Sequence, residues 1–415
     1  MSRLSPDVAL NAEGLLEKAA AQTGLSDFGD DSYREPYNIL LQSLQDEACL
    51  NTQGVILMQR TILRLLANRL RTEEAFTSYP EMAETPIERP LYILGFPRTG
   101  TTLLHNLLSC DPASRWLRLW EGLYPAPAPE SLDDDPRVAK SKEFVTGFEK
   151  IAPLLASAHK LNATGPEECL WLIEHTFADF IFELRANIPS YSRWLSEHEA
   201  EPVWYLYYRR QLQMLSWKCR GSHWVCKAPR HLSGLSGLLS VFPDARIVQT
   251  HRSAESVLPS ICSLCEITRS AASNLVDKVA IGTHWHQRLL EVGRRSAEVR
   301  SASDAEQFID VQYNDLVTDP IGTVHRIYEH HGYSYSDSFE NRMKLWLADN
   351  RQYKHGPHRY SLEEFGLDAE VVRRDFTGIG LSLIHISEPM RPLYSSYAVF
   401  CLKKKRGGGG GGGGG

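Results

Sequence analysis

The chain has no stretch of eighteen consecutive apolar residues, so the sequence offers no membrane-spanning helix. Its first residues, MSRLSPDVALNAEG, lack the apolar core of a secretory leader, and the protein is expected in the cytoplasm. Positive charge is in short supply: 45 Lys+Arg against 51 Asp+Glu leave a formal net charge of −6. Such a balance gives no bulk attraction to nucleic acid or anionic lipid, so a bound anion must be held by a local site. Cysteines are few, eight in 415 residues, and form no paired framework. The lone CxxC, Cys262-Ser-Leu-Cys265, has no second pair at zinc spacing and reads as two buried helical thiols. No metal site is expected. Internal repeats are also lacking, which leaves a soluble globular chain long enough to bury a large core.

The C-terminal segment, residues 381–415, stands apart from that description. LSLIHISEP (381–389) resembles the translation of a transposase-type sequencing adapter, and SYAVFCL (396–402) resembles its flow-cell end. Lys403 to Lys405, Arg406 and the nine glycines after them follow from runs of AAA passing through AGG to GGG. Leu381 onward is therefore expected to be adapter read-through in place of the native C-terminus. Without its five Lys/Arg and one Glu the formal net charge moves from −6 to −10.

Before residue 89 the pattern is helical. The segment QGVILMQRTILRLLANRL, from Gln53 to Leu70, carries apolar residues at helical spacing with arginines between them. Residues 1–88 thus form a helical N-terminal extension, and 89–380 an α/β domain. Leu91-Tyr-Ile-Leu94 is the continuous apolar run of a buried parallel strand. Further strands are expected at His223–Cys226, Ala245–Thr250 and Phe308–Tyr313, with helical patterns between them. Strands alternating with helices predict a P-loop-like parallel sheet flanked by helices on both faces.

The informative loop is Gly95-Phe-Pro-Arg-Thr-Gly-Thr-Thr102, between a strand and a helix. Gly95 and Gly100 have the GxxxxG spacing that lets backbone N–H groups converge on an anion at a helix N-terminus. A nucleotide triphosphatase would place Lys at 101 and Ser or Thr after it for magnesium. This chain has Thr101-Thr102, and its cation, Arg98, lies inside the loop. A metal-free anion site is the better reading, with a P-loop kinase or a non-catalytic nucleotide-binding module as rivals. Two more cations follow strands: Lys227 in Trp224-Val-Cys-Lys-Ala-Pro, and Arg252, which leaves a strand at the sheet edge where ligands collect. Ser260 lies eight residues after Arg252, about two helical turns on, where both can meet one phosphate.

This combination resembles the sulfotransferases that use 3′-phosphoadenosine 5′-phosphosulfate. FPRTGTT is similar to their 5′-phosphosulfate loop, and Arg252 with Ser260 to their 3′-phosphate motif. The loop arginine and WVCKAP look closest to the tyrosylprotein-type branch, and the whole chain to soluble bacterial-type members with a helical N-terminal extension. The resemblance spans roughly residues 9 to 380. It implies in-line transfer of a sulfonate to a hydroxyl or amine on a small-molecule or peptide acceptor. The acceptor's identity and the oligomeric state stay open. The donor would be held by Arg98, Thr99, Gly100, Thr101 and Thr102 at its 5′ end and by Arg252 and Ser260 at its 3′-phosphate. Lys227 would reach the bridging oxygen or the sulfonate. Glu121, in Leu119-Trp-Glu-Gly, falls where the tyrosylprotein-type branch carries its catalytic glutamate and is the first candidate base; an ordinary structural carboxylate is the alternative. His159 is the second candidate. Glu167 and Glu168, after Pro166, read as acids at a helix start that could also touch the acceptor. Trp204-Tyr-Leu-Tyr-Tyr208 either lines an acceptor pocket or faces the core.

Overall fold

Short, unbroken apolar runs build the sheet. In the computed structural model, which describes residues 10–151, 161–350 and 361–377, β1 (Leu91–Gly95) is buried at every position. Such a strand needs cover on both faces, which parallel sheets obtain from crossover helices. β1 pairs with β3 (His223–Lys227) on one side and with β4 (Arg246–His251) on the other. β2 (Ser114–Trp116) and β5 (Phe308–Gln312) add the outer strands. Among the described residues the five strands form one all-parallel sheet in the order β2-β3-β1-β4-β5. From β1 the chain moves to β2 and β3 on one side, then crosses to β4 on the other. Such a reversal opens a crevice beside the carboxyl ends of the strands. The register places Ile93 beside Lys227 and Gly95 beside Thr250, so the three cation-bearing segments end at one edge.

One face of this sheet belongs to a large apolar cluster that the N-terminal helices extend. Ala12–Thr23, Arg34–Asp46 and the 27-residue Thr52–Ser78 place Leu40, Ile62 and Leu66 in an apolar cluster with Tyr92, Leu94 and Ile247. The opposite cluster joins Leu91, Ile93 and Val248 to Leu104, Leu316 and Ile327. No described helix is long and apolar enough to cross a membrane.

Three local differences from the sequence pattern have simple causes. β2 has only three residues, too few to produce an apolar period. The connection between β3 and β4 is two short helices, Arg230–Ser233 and Leu235–Val241, broken at Gly234. In the helix Pro202–Ser216, Trp204, Tyr205, Tyr207 and Tyr208 are all buried, and none of them lines the cavity described below. The aromatic segment is core. Both thiols of the CxxC are buried and free.

One buried carboxyl ties stability to pH. Asp179 has no exposed surface, one oxygen accepts from the Ile181 N–H at 2.8 Å, and the other has no partner. Burial pushes its pKa up to about 7, against the pull of Arg230. In the unfolded chain it ionises near pH 4, so between about pH 4 and 7 the folded state binds the extra proton. This group therefore lowers stability as pH rises through that window. Asp179→Asn should flatten the pH dependence of Tm there; an unchanged profile would contradict the burial argument.

Candidate functional site

The loop after β1 owes its shape to two close approaches and two left-handed residues. A Cβ on Gly95 would sit 2.7 Å from the Thr250 carbonyl, so only glycine lets β1 run into the loop against β4. Arg98 (φ 71°) and Gly100 (φ 92°) both adopt the left-handed conformation, which turns the chain into the helix Thr101–Leu108. For arginine that conformation is strained, as is common where backbone is shaped around a ligand. The Thr99 side chain points inward instead: its hydroxyl donates to the Phe96 carbonyl at 2.8 Å and lies 2.6 Å from the Thr250 hydroxyl. Thr99 fastens the loop to β4 and leaves only its backbone to face an anion.

Around this loop the structure gathers most of the predicted residues. Arg98 Nε donates to Ser260 Oγ at 3.1 Å, and Arg252 Nη1 donates to the Arg98 carbonyl at 3.0 Å. Arg252 also lies over the Tyr313 ring at 4.2 Å. Two guanidinium groups and a hydroxyl thus meet beside a helix N-terminus, where the dipole also favours an anion. Lys227, only 2% exposed at its side chain, donates to Thr102 Oγ1 at 3.4 Å and forms an ion pair with Glu168. Behind it, burial and the Lys227 charge hold His105 at a pKa of about 3, so that imidazole is neutral. Arg98, Gly100, Thr101, Thr102, Glu167, Glu168, Arg252 and Ser260 all line one cavity of about 960 Å³.

The candidate bases fare differently. Glu121 is fully buried in the short helix Leu119–Leu123 and is not among the cavity-lining residues. One of its oxygens accepts from Arg115 Nη1 and from the Arg118 N–H, both at 3.0 Å; the other accepts from Arg115 Nη2. Arg115 is itself buried, over the Trp224 ring. A carboxylate in this position caps a helix and neutralises a buried cation, and it cannot reach an acceptor without breaking these three bonds. This geometry favours the alternative reading of Glu121, an ordinary structural carboxylate. His159 lies outside the described residues.

Glu168 is the carboxylate that the sequence undervalued. Its segment is pinned from both sides: the Glu167 N–H donates to the Leu117 carbonyl, and the Cys169 N–H to the Lys227 carbonyl, each at 2.8 Å. Those two bonds carry the Pro166-Glu-Glu segment across the strand ends and set Glu168 at the cavity wall. The signal in the sequence was only two acids after a proline. Among the described residues no cluster of His, Cys, Asp and Glu could hold a metal ion.

Comparisons with known proteins agree with this geometry. Residues 90–337 match the model of the Sulfotransferase family. The omega-hydroxy-beta-dihydromenaquinone-9 sulfotransferase Stf3 of Mycobacterium bovis is 26% identical over 296 residues, covering 68% of this chain and 73% of that protein. Crystal structures of two further sulfotransferases share the fold. STF1 of Mycobacterium tuberculosis superposes with a TM-score of 0.80 at 34% identity, covering 89% of this chain and 99% of that one. STF9 of Mycobacterium avium gives 0.83 at 29% identity, with 91% and 96% covered. The family match spans more than half of the chain and includes the loop, Lys227, Arg252 and Ser260. The chain belongs to the sulfotransferase family.

Proposed function

We propose that the protein transfers the sulfonate of 3′-phosphoadenosine 5′-phosphosulfate to the hydroxyl of a small-molecule acceptor. The observation that carries this reading is the convergence of Arg98, Arg252 and Ser260 with the Lys227–Glu168 pair on a single cavity. The loop backbone and the Thr101 and Thr102 hydroxyls would hold the 5′-phosphosulfate. Arg252 and Ser260 would hold the 3′-phosphate. In the reaction the acceptor oxygen bonds to sulfur as the bond from sulfur to the bridging phosphate oxygen breaks, and that electron pair leaves on the phosphate. Lys227 donates a hydrogen bond to the departing oxygen, and Glu168 takes the acceptor's proton. The ion pair with Lys227 holds the Glu168 carboxylate at the cavity wall. A small-molecule acceptor is supported by the relative Stf3, named for an omega-hydroxy-beta-dihydromenaquinone-9 substrate.

Calorimetric titration with 3′,5′-bisphosphoadenosine, without magnesium, tests the donor site. Arg252→Ala should weaken this ligand by roughly 10- to 100-fold, the range for losing charge-assisted hydrogen bonds. Affinity for adenosine 5′-phosphosulfate, which lacks the 3′-phosphate, should change little. Equal losses for both nucleotides would remove the 3′-phosphate role from Arg252.

A further inference from the structure

We propose that the acceptor is an alcohol with a long apolar tail, such as an isoprenoid or fatty alcohol, and that the helical N-terminal extension builds half of its channel. This inference rests on the sulfonate-transfer reading above for its reactive end, and on the shape of the cavity for the rest.

From the Glu168 carboxylate the cavity continues between two helices. The helix Ala254–Ser270 and its capping residue present Ser260, Leu264, Ile267 and Ala271 to it, at steps of four, three and four residues. That is one continuous face over three turns, roughly 16 Å at 1.5 Å per residue. The helix Thr52–Ser78 faces it with Leu57, Met58, Thr61 and Arg64, again one face at helical steps. The far ends of the two helices are fixed together: the Asn51 N–H donates to the Ala272 carbonyl at 3.0 Å, and Gly54 packs so closely on Ala272 that a Cβ would clash with its backbone. Phe148, Trp171 and Ile181 complete the apolar wall. Leu264 and Ile267 are only half-buried, and both line the cavity.

Of the charged groups in this wall, Arg64 and Arg185 are held by a buried carboxylate. Arg64 and Arg185 both bind Glu174, at 2.5 and 2.9 Å, and Arg64 lies over the Trp171 ring at 5.6 Å. Against the faces of Leu57, Met58, Leu264, Ile267, Phe148 and Trp171, a polar group of a ligand would lose water without gaining a partner, at a cost for each. An apolar chain gains with every methylene that leaves water. The helix Thr52–Ser78 lies outside the residues matched by the family model, so this wall is a feature that the extension adds to the transferase domain.

Decanol and farnesol, with propanol and glucose as comparators, test the channel by calorimetry on the full chain and by transfer from radiolabelled donor. Decanol should bind at least ~100-fold more tightly than propanol, given the gain expected per buried methylene. Ile267→Trp, which fills the channel midway, should reduce decanol affinity at least ~10-fold, since overpacking excludes a chain without removing apolar surface. Leu264→Glu should do the same, and affinity for 3′,5′-bisphosphoadenosine should be unchanged in both variants. Decanol binding no better than propanol, or insensitive to both substitutions, overturns the proposal. If 3′,5′-bisphosphoadenosine fails to bind while decanol binds in an Ile267-dependent way, the channel stands and the donor reading falls.

Discussion

Glu168→Gln should lower kcat by roughly 10²- to 10⁴-fold, the range for removing a positioned general base. The substitution keeps the size and the hydrogen-bonding oxygen of the side chain, so Lys227 retains a neutral acceptor and the wall of the cavity keeps its shape. What disappears is the ability to take a proton from the acceptor hydroxyl. Glu168 is the carboxylate that lines the cavity and pairs with Lys227 beside Thr102. Affinity for 3′,5′-bisphosphoadenosine should stay nearly unchanged, because the proposed phosphate contacts lie with Arg98, Arg252, Ser260 and the loop backbone, away from the Glu168 carboxylate. The check is steady-state kinetics with saturating donor alongside calorimetry of the product nucleotide. A variant with near-normal kcat would show that Glu168 only holds Lys227 in place, and a parallel loss of nucleotide affinity would point to a collapsed site.

The difference between Glu168 and Glu121 shows what a sequence carries and what it omits. The loop was legible because its requirements are local: Gly95 and Gly100 at fixed spacing, a buried strand before them and a helix after them. Arg252 and Lys227 were legible because both follow apolar strand runs, and parallel register brings strand ends together without further information. Glu168 meets Lys227 across 59 residues, through two backbone bonds that no periodicity announces. The ion pair of Glu121 was not legible because its partner, Arg115, sits on the three-residue β2, which the apolar pattern could not reveal. The wall formed by Thr52–Ser78 was half legible. Its arginines and apolar residues gave a helix with a core-facing stripe, but a second apolar face turned to a cavity looks the same in one dimension. Tertiary pairing decided each of these cases.

Glu121→Gln should act on stability and leave the chemistry of the folded enzyme largely intact. Removing one member of a buried ion pair costs about 3–5 kcal/mol, mainly because the remaining charge stays buried without compensation. That remaining charge is Arg115, only 2% exposed at its side chain, whose other bonds go to backbone carbonyls of Trp116, Cys219 and Leu215. The carbonyls hold the guanidinium in place but do not neutralise it. Glutamine can still accept from the Arg118 N–H, so the helix cap survives and the loss is electrostatic. For a chain of this size the expected fall in Tm is roughly 5–10 °C, read by calorimetric melting. At a temperature well below the lowered Tm, kcat per folded molecule should remain within a small factor of the parent enzyme. Joint replacement, Arg115→Met with Glu121→Leu, should recover much of the lost stability, since an apolar pair of similar volume can match a buried ion pair. The opposite pattern, an unchanged Tm with kcat reduced by orders of magnitude, would return the role of base to Glu121 and require the Leu119–Leu123 helix to open toward the cavity during turnover.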